Sequence, residues 1–449
     1  MRFAALVLLA AACSTPVADV PVVPETAPDT TALEEPDVPP SPPPGTLDSP
    51  PLGEGLCLAG VPDGAGKDAV ARLKDLGVHR VRSDLPWDVA EPTKGDFHLD
   101  ALEAQVGPYL DAGIAVTGIL AYGNPWATSV PGADKFYPPD DPADFARYVT
   151  AVVTHFAPRI TDYEVWNEEN AGYRFWKTNP LGDPPAYGAL LRAAVAAGRA
   201  ACATCRFAFG APFFHAQIIT GHVDFLAEVQ TAWPDIADAY DAMGFHPYPF
   251  YPPQAAPEGP PPSSEMAIAD MAAAVRATMA AAGPVRPLWT TEFGWPVYNK
   301  IDETRQAAYL VRATLELTAA GATPTCWYNL FDGPKFTEFP PEDAFGLLTF
   351  ADPPQPKPAY HALAQLGGSF ASFRLVRDLR AAGLVPDGVY GYALAGPSGE
   401  TWWAIWTYPD DGPIPVAADV AETLSMTGEP LAAFAASMTP VFGRLAAAR

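Results

Sequence analysis

The sequence predicts a (β/α)8 TIM barrel followed by a small C-terminal β-sandwich. Eight short apolar runs rich in strand-forming residues alternate with alanine-rich stretches that carry apolar residues at helical spacing. After about Gly368 the pattern changes to strand-like alternation broken by Gly, Pro and Asp. A chain of 449 residues can hold one barrel of about 300 residues and a small accessory domain.

Each apolar run of the barrel is expected to be a parallel strand that leads into the next helix. Eight such units favour a closed barrel, and an open doubly wound sheet is the alternative that the pattern leaves open. The predicted strands are Leu56–Gly60, Val78–Ser83, Ile114–Ala121, Asp162–Trp166, Arg206–Gly210, Ala242–His246, Pro287–Thr291 and Pro324–Asn329.

Helices are predicted between these strands, and short strands are predicted in the C-terminal region. The helical candidates are Lys67–Leu76, Pro142–Phe156, Ala186–Ala200, Val223–Ala232, Ser264–Ala282 and Thr304–Ala320. The strand candidates after the barrel are Phe373–Leu379, Val389–Ala395, Thr401–Tyr408, Pro415–Ala418 and Glu422–Met426.

The N-terminus has the composition of an export signal. Residues 1–13 contain one basic residue, an apolar run from Phe3 to Ala12, and small residues before Cys13. This segment resembles a bacterial lipoprotein signal, which implies that Cys13 is acylated and that the protein is anchored at the cell surface or in the periplasm. Ala10 stands where that pattern usually has Leu. Ordinary secretion, with Cys13 incidental, is the alternative.

Residues 14–52 are rich in proline and acidic residues, and the stretch from Ser14 to Pro51 contains no Lys or Arg. Such a segment favours extended, solvated chain, so we predict a disordered tether. The barrel is then assigned to residues 53–368, and the β-sandwich to residues 369–449.

Composition excludes several classes of partner and site. The net charge of −25 at pH 7 and the pI near 4.5 disfavour nucleic acid and anionic membrane surfaces. The histidines lack the paired spacing of a zinc site, and no Gly-rich phosphate loop follows a strand. We therefore predict neither metal nor cofactor, expect a monomer, and leave neutral substrates open.

Function in a barrel of this kind lies where the strands end. The fourth predicted strand closes with Trp166-Asn167-Glu168, and Glu292 follows the seventh predicted strand directly. Carboxylates at these two positions would face each other across the barrel mouth. Cleavage of a glycosidic bond requires two such groups, one donating a proton to the leaving oxygen and one acting at the anomeric carbon.

Several stretches resemble a retaining glycoside hydrolase of clan A, closest to the family 39 and family 5-like members. They are GVHRVRSDLPWDVAEPTKGDFHLD, AYGNPWA, YEVWNEEN, GFHPYP and LWTTEFGWP, spread over residues 56 to 366. The resemblance implies that Glu168 is the general acid/base and Glu292 the nucleophile. It further implies that Asn167 binds the sugar 2-hydroxyl, that Arg82 keeps the nucleophile ionised, and that Tyr248 donates to the same carboxylate.

The two glutamates are expected to differ in pKa. A guanidinium beside Glu292 should lower its pKa, whereas desolvation beside Trp166 should raise that of Glu168. Many relatives have Pro after the Asn-Glu pair, but this chain has Glu169, which should point elsewhere. A catalytically silent glycan-binding lipoprotein on the same scaffold is the alternative from a different functional class.

Further binding residues are predicted at the other strand ends. His246 is assigned to the site, although a histidine there could instead cap the turn before Pro247. Because sugar rings present apolar faces to aromatic side chains, Trp126, Trp295 and Trp327 are predicted to wall the cleft.

Four cysteines lie within the predicted barrel. Cys202 and Cys205 are expected to form a local disulfide in an exported protein. Cys57 and Cys326 lie in the first and last strands, which barrel closure makes neighbours. The sequence leaves open whether these two form a disulfide or remain thiols.

Overall fold

The structure, a computed structural model, describes residues 43–62, 64, 68–178, 182–213, 225–249, 256–259, 267–334, 340–410 and 412–446. The predicted export signal with Cys13 and residues 14–42 of the predicted tether lie outside this range. Among the described helices, none has the length and apolar character to cross a bilayer.

Eight parallel strands close into a barrel in chain order, with β1 paired to both β2 and β8. This confirms the predicted fold class and excludes the open sheet. The strands are β1 Leu56–Ala59, β2 Arg80–Pro86, β3 Ala115–Ala121, β4 Asp162–Val165, β5 Arg206–Phe209, β6 Ala242–Phe245, β7 Leu288–Phe293 and β8 Thr325–Tyr328.

Helices connect the strands and form the outer layer of the barrel. In the described residues they are α1 Leu52–Gly55, α2 Ala69–Asp75, α3 Trp87–Ala90, α4 Leu99–Asp111, α5 Pro142–Phe156, α6 Pro184–Ala201, α7 Phe225–Ala232, α8 Ile268–Ala282, α9 Glu303–Ala319 and α10 Pro358–Gly367. Short 3-10 turns lie at Pro125–Ala127, Ile236–Ala239 and Pro340–Ala344.

Two of the longer helices, α5 and α9, begin where the sequence supplies a capping side chain. Asp141 accepts a hydrogen bond from the backbone N–H of Ala143, and Pro142 opens α5. Asp302 caps α9 in the same way through the N–H of Arg305. Because these signals are local, the observed limits of both helices lie within one residue of the predicted ones.

Both cysteine pairs form disulfide bonds. Cys57 and Cys326 face each other in the register of β1 and β8, so their disulfide joins the two strands that close the barrel. Cys202 and Cys205 form the expected local disulfide in the turn before β5.

The C-terminal region contains a five-stranded antiparallel sheet and a separate antiparallel pair of two-residue strands, Ile414–Pro415 with Ala435–Ala436. The strand order in the sheet is Val420–Ser425, Val441–Leu445, Thr401–Thr407, Val389–Ala395 and Arg374–Asp378. The predicted run Pro415–Ala418 is reduced to a strand of two residues. Two strands near the C-terminus were absent from the prediction. The strands are β9 Arg374–Asp378, β10 Val389–Ala395, β11 Thr401–Thr407, β12 Ile414–Pro415, β13 Val420–Ser425, β14 Ala435–Ala436 and β15 Val441–Leu445.

The last part of the predicted tether belongs to the folded body. The N–H groups of Leu47, Ser49 and Leu52 donate to carbonyls of residues 376, 375 and 373, along the edge of β9. These donors lie between or after prolines, which have no N–H to offer. Residues 46–52, which the composition assigns to the predicted tether, therefore pair with the edge of β9.

Candidate active site

A cavity of about 300 Å³ lies where the barrel strands end. It brings together five of the predicted site residues, Arg82, Asn167, Glu168, Tyr248 and Glu292. The rest of its lining comes from Gly60, Val61, Ser83, Asp84, Gln105, Ile119, Tyr122, Tyr173, Arg174, Phe175, Phe213, Tyr328, Glu342 and Phe345.

Glu168 enters this cavity through a strained turn after β4. Trp166 and Glu168 have φ angles of 74° and 49°, a left-handed region that residues other than glycine rarely adopt. Each such residue costs on the order of 1–3 kcal/mol, which the surrounding packing must offset. The Trp166 ring is buried, and its Nε1 donates to the carbonyl of Phe175 at 2.9 Å. The turn thus fixes the direction in which Glu168 points.

The Glu168 carboxyl is buried and lies beside one titratable partner. Its Oε1 is 2.7 Å from Nδ1 of His246, which is fully buried behind it. Burial raises the pKa of Glu168 to about 7, against the opposing charges of Arg174 and Arg82. Burial also lowers the pKa of His246 to about 4, so the imidazole is neutral at neutral pH.

Glu292 lies within β7 and has two donors on its carboxylate. Tyr248 donates its hydroxyl to Oε1 at 2.6 Å, and Arg82 donates through Nη1 to Oε2 at 3.2 Å. Burial nevertheless raises the pKa of Glu292, and the nearby Glu168 acts in the same direction, outweighing both donors. The expected lowering of the Glu292 pKa is therefore wrong.

The charge of Arg82 is shared with a carboxylate that the sequence analysis did not single out. Glu164 of β4 is fully buried and forms an ion pair with the Arg82 guanidinium through Nη2, while Nε donates to it at 3.2 Å. The same Nη2 donates to Oδ1 of Asn167 at 2.7 Å. Because Glu164 neutralises much of the guanidinium, Arg82 orients Glu292 more than it lowers its pKa.

Glu168, Glu292 and His246 lie close together. One carboxylate oxygen each of Glu168 and Glu292 and a ring nitrogen of His246 lie within 4.8 Å of one another. Among the described residues this is the one cluster of His, Cys, Asp and Glu with metal-ligand spacing. Arg82 and Tyr248 occupy both oxygens of Glu292, so a cation would compete with a guanidinium for that carboxylate.

The three predicted wall tryptophans lie away from the cavity. Trp295 and Trp327 are buried and stack on each other at 6.3 Å between centroids. Trp126 is half-buried, donates Nε1 to the Glu91 carbonyl at 2.9 Å, and packs against Trp87. The aromatic wall is instead formed by Tyr122, Tyr173, Phe175, Phe213, Tyr328 and Phe345.

Glu169, which follows the acid/base candidate, does not line the cavity. Its side chain is buried against Gly210, where an added Cβ would lie 2.3 Å from its Oε2. Burial raises the pKa of Glu169 well above its usual range, which favours the neutral form of the group. The Glu169 side chain therefore points away from Glu168 and Glu292, as predicted from its place next to Glu168 in the chain.

No protein-family model and no curated protein matches the sequence. Solved structures do resemble the fold. One is a family 39 glycoside hydrolase from Bacteroides cellulosilyticus WH2, with 20% identity over 88% of this chain and 81% of that one, at a TM-score of 0.68.

Two further solved structures resemble this chain at similarly low sequence identity. A monomeric β-xylosidase from Caulobacter crescentus CB15 has 17% identity over 89% of this chain and 97% of that one, at a TM-score of 0.60. A family 39 enzyme from Xanthomonas axonopodis pv. citri has 18% identity over 85% and 79%, respectively, at a TM-score of 0.58. At these identities the likeness concerns the fold.

Proposed function

We propose that this protein is a retaining glycoside hydrolase that cleaves β-glycosidic bonds in oligo- or polysaccharides. The observation that carries the proposal is the pairing of Glu168 after β4 with Glu292 in β7, inside one cavity and with oxygens within 4.8 Å. The fold is also that of structures named as family 39 glycoside hydrolases and a β-xylosidase. Activity depends on the site and not on the fold, so the carboxylate pair is the main support for the proposal.

In the first step, Glu292 attacks the anomeric carbon and the bond from that carbon to the leaving oxygen breaks. Glu168 transfers its proton to that oxygen, so the aglycone leaves as a neutral alcohol and Glu168 becomes a carboxylate. A pKa of about 7 keeps a large part of Glu168 protonated at neutral pH. Asn167 accepts from Arg82 through Oδ1, which turns its amide N–H groups towards the sugar 2-hydroxyl.

In the second step, the Glu168 carboxylate accepts a proton from water as the water oxygen attacks the anomeric carbon. The bond to Glu292 breaks, and Glu292 leaves as a carboxylate stabilised by Arg82 and Tyr248. Both residues thereby return to their starting states. Two inversions at the anomeric carbon give net retention.

The short separation of the two carboxyl groups supports retention over inversion. Retaining enzymes place them about 5–5.5 Å apart, whereas inverting enzymes need roughly 6.5–9.5 Å to admit a water molecule between carboxylate and sugar. Carboxylate oxygens of Glu168 and Glu292 within 4.8 Å of each other support the shorter separation of the retaining enzymes.

We also propose export and anchoring through a lipid on Cys13. The two disulfides support an oxidising compartment, because cytosolic thiols are kept reduced. Protein from the membrane fraction should have, by mass spectrometry, the mass of a chain that begins at an acylated Cys13. In Cys13→Ser the species with that mass should be absent. An unmodified soluble form from the wild-type chain would favour ordinary secretion.

Trapping with an activated 2-deoxy-2-fluoro glycoside tests the mechanism. The fluorine slows both steps and the activated leaving group restores the first, so a glycosyl-enzyme should accumulate on the peptide that contains Glu292. Glu292→Gln should show no label, and the exposed Glu303→Gln should label like the wild type. Label on another carboxylate would contradict the assignment. Glycan binding without turnover of any aryl glycoside would favour the silent binding protein.

A further inference from the structure

Asp84 presents a carboxylate to the cavity that the two-step chemistry does not use. It lies on β2, two residues after Arg82 and therefore on the same face of the strand. Among the described residues, no hydrogen bond or ion pair is formed by its carboxylate oxygens. The side chain is half-buried and faces the cavity, so a ligand bound there could donate hydrogen bonds to its carboxylate.

The backbone around Asp84 is held in place while the carboxylate is left open. Gln105 of α4 donates through Nε2 to the Asp84 carbonyl at 2.7 Å and to Oγ of Ser83 at 3.0 Å. Gln105 and Ser83 also line the cavity. The backbone that carries the Asp84 side chain is therefore fixed by the fold before any ligand enters.

Asp84 lies on the side of the cavity that a glycone would occupy. Glu168 follows β4 and is backed by His246 after β6, so the leaving oxygen and the aglycone belong to that side. The sugar ring extends from the anomeric carbon away from the leaving group. Gly60 and Val61 after β1, with Asp84 on β2, form the opposite wall.

The charge balance of the cavity lining disfavours an anionic ligand. Four carboxyl groups line it, on Asp84, Glu168, Glu292 and Glu342, against the guanidinium groups of Arg82 and Arg174. Arg82 is paired with Glu164 and Glu292, and Arg174 forms an ion pair with Glu342 at 3.1 Å.

We propose that Asp84 determines glycone specificity: its carboxylate accepts hydrogen bonds from hydroxyl groups of a neutral sugar, and its charge disfavours a uronate at the same place. This rests on the proposed glycosidase function. Sugar hydroxyls are donors, and an ionised carboxylate is the strongest acceptor that a side chain offers. Burial raises the pKa of Asp84, and hydrogen bonds from a bound sugar would stabilise its ionised form.

A cycle of protein and substrate changes tests the hydrogen bond. The wild type is first screened on aryl β-glycosides of neutral sugars, and the best substrate is then compared with its 3-, 4- and 6-deoxy analogues, where those hydroxyls exist. Deleting the hydroxyl that Asp84 binds should lower kcat/KM about 10- to 150-fold, the range for a hydrogen bond to a charged group. In Asp84→Ala that same deletion should have little further effect. If the loss caused by Asp84→Ala and the loss caused by deleting a hydroxyl simply add for every hydroxyl, the proposal is overturned.

A second comparison tests the charge. In Asp84→Asn, which preserves volume, the kcat/KM ratio of a neutral glycoside to the matched uronide should fall at least about tenfold, because the like charge is removed. An unchanged ratio would overturn the proposal. Asp96→Asn, at a side chain 69% exposed, is the matched control and should behave like the wild type. Labelling of Glu292 by the fluoro sugar reports that each variant is folded.

The two proposals fail in distinguishable ways. A wild type that hydrolyses no glycoside removes the proposed function. A wild type that cleaves glycosides, with Asp84 variants whose selectivity matches it, removes only the role of Asp84.

Discussion

The two ends of the cavity, at β4 and at β7, differ in what surrounds the carboxyl group. Glu168 is next to a neutral imidazole and follows a backbone turn with two left-handed residues. Glu292 lies in regular strand and accepts hydrogen bonds from a guanidinium and a phenol. Burial raises the pKa of both groups.

This comparison indicates that the hydrogen-bond partners, more than burial, suit the two carboxyl groups to different roles. A carboxylate with two donors is well suited to be present as an anion and to return to one as a leaving group. A carboxyl next to neutral His246, with a pKa of about 7, is well suited to lose and regain a proton. Each of the following substitutions removes the carboxyl group at one end of the cavity.

The largest effect is expected for Glu292→Ala, which removes the nucleophile. Hydrolysis should fall on the order of 10^5-fold or more, even with an activated leaving group, because no covalent intermediate can form. Added azide should restore turnover of an activated β-glycoside and give the α-glycosyl azide, since azide enters from the face that Glu292 occupied. A β-glycosyl azide, identified by NMR, would reverse the assignment of the two glutamates.

A smaller and substrate-dependent effect is expected for Glu168→Ala. For a poor leaving group kcat/KM should fall roughly 10^2- to 10^4-fold, the usual contribution of a general acid. For a dinitrophenyl glycoside kcat/KM should change little, because that leaving group needs no proton. Azide should here give the β-glycosyl azide by attacking the intermediate on Glu292. Equal losses with both leaving groups would mean that Glu168 does not donate the proton.

The barrel and the carboxylate pair could be predicted because their signals are local. Each strand is a short apolar run, and Asp141 with Pro142 marks the beginning of α5. Glu168 and Glu292 lie at or directly after strand ends, where parallel strands bring their side chains to one mouth.

Other features depend on information that the sequence does not display locally. Trp327 was predicted to wall the cavity, yet the next residue, Tyr328, does so. A barrel strand is buried on both faces, so no alternation of polar residues shows which side chain points inward. Glu164 was missed for a related reason, because its role depends on Arg82 of another strand. Arg174 and Glu342 come together from loops far apart in sequence.

The last comparison uses pH to separate the two ends without changing the protein. Glu168 must be protonated to donate, so with a poor leaving group kcat/KM should fall tenfold per pH unit above about pH 7. On the acid side the rate should fall as Glu292 is protonated, at a pH above the ordinary range of a glutamate because burial raises its pKa. The leaving group of a dinitrophenyl glycoside needs no proton. The alkaline limb of its pH profile, which is the fall in kcat/KM at high pH, should therefore disappear, while the acid limb, the fall at low pH, remains. If the alkaline limb is the same for both leaving groups, it belongs to a group other than Glu168, and the division of labour between the two ends is wrong.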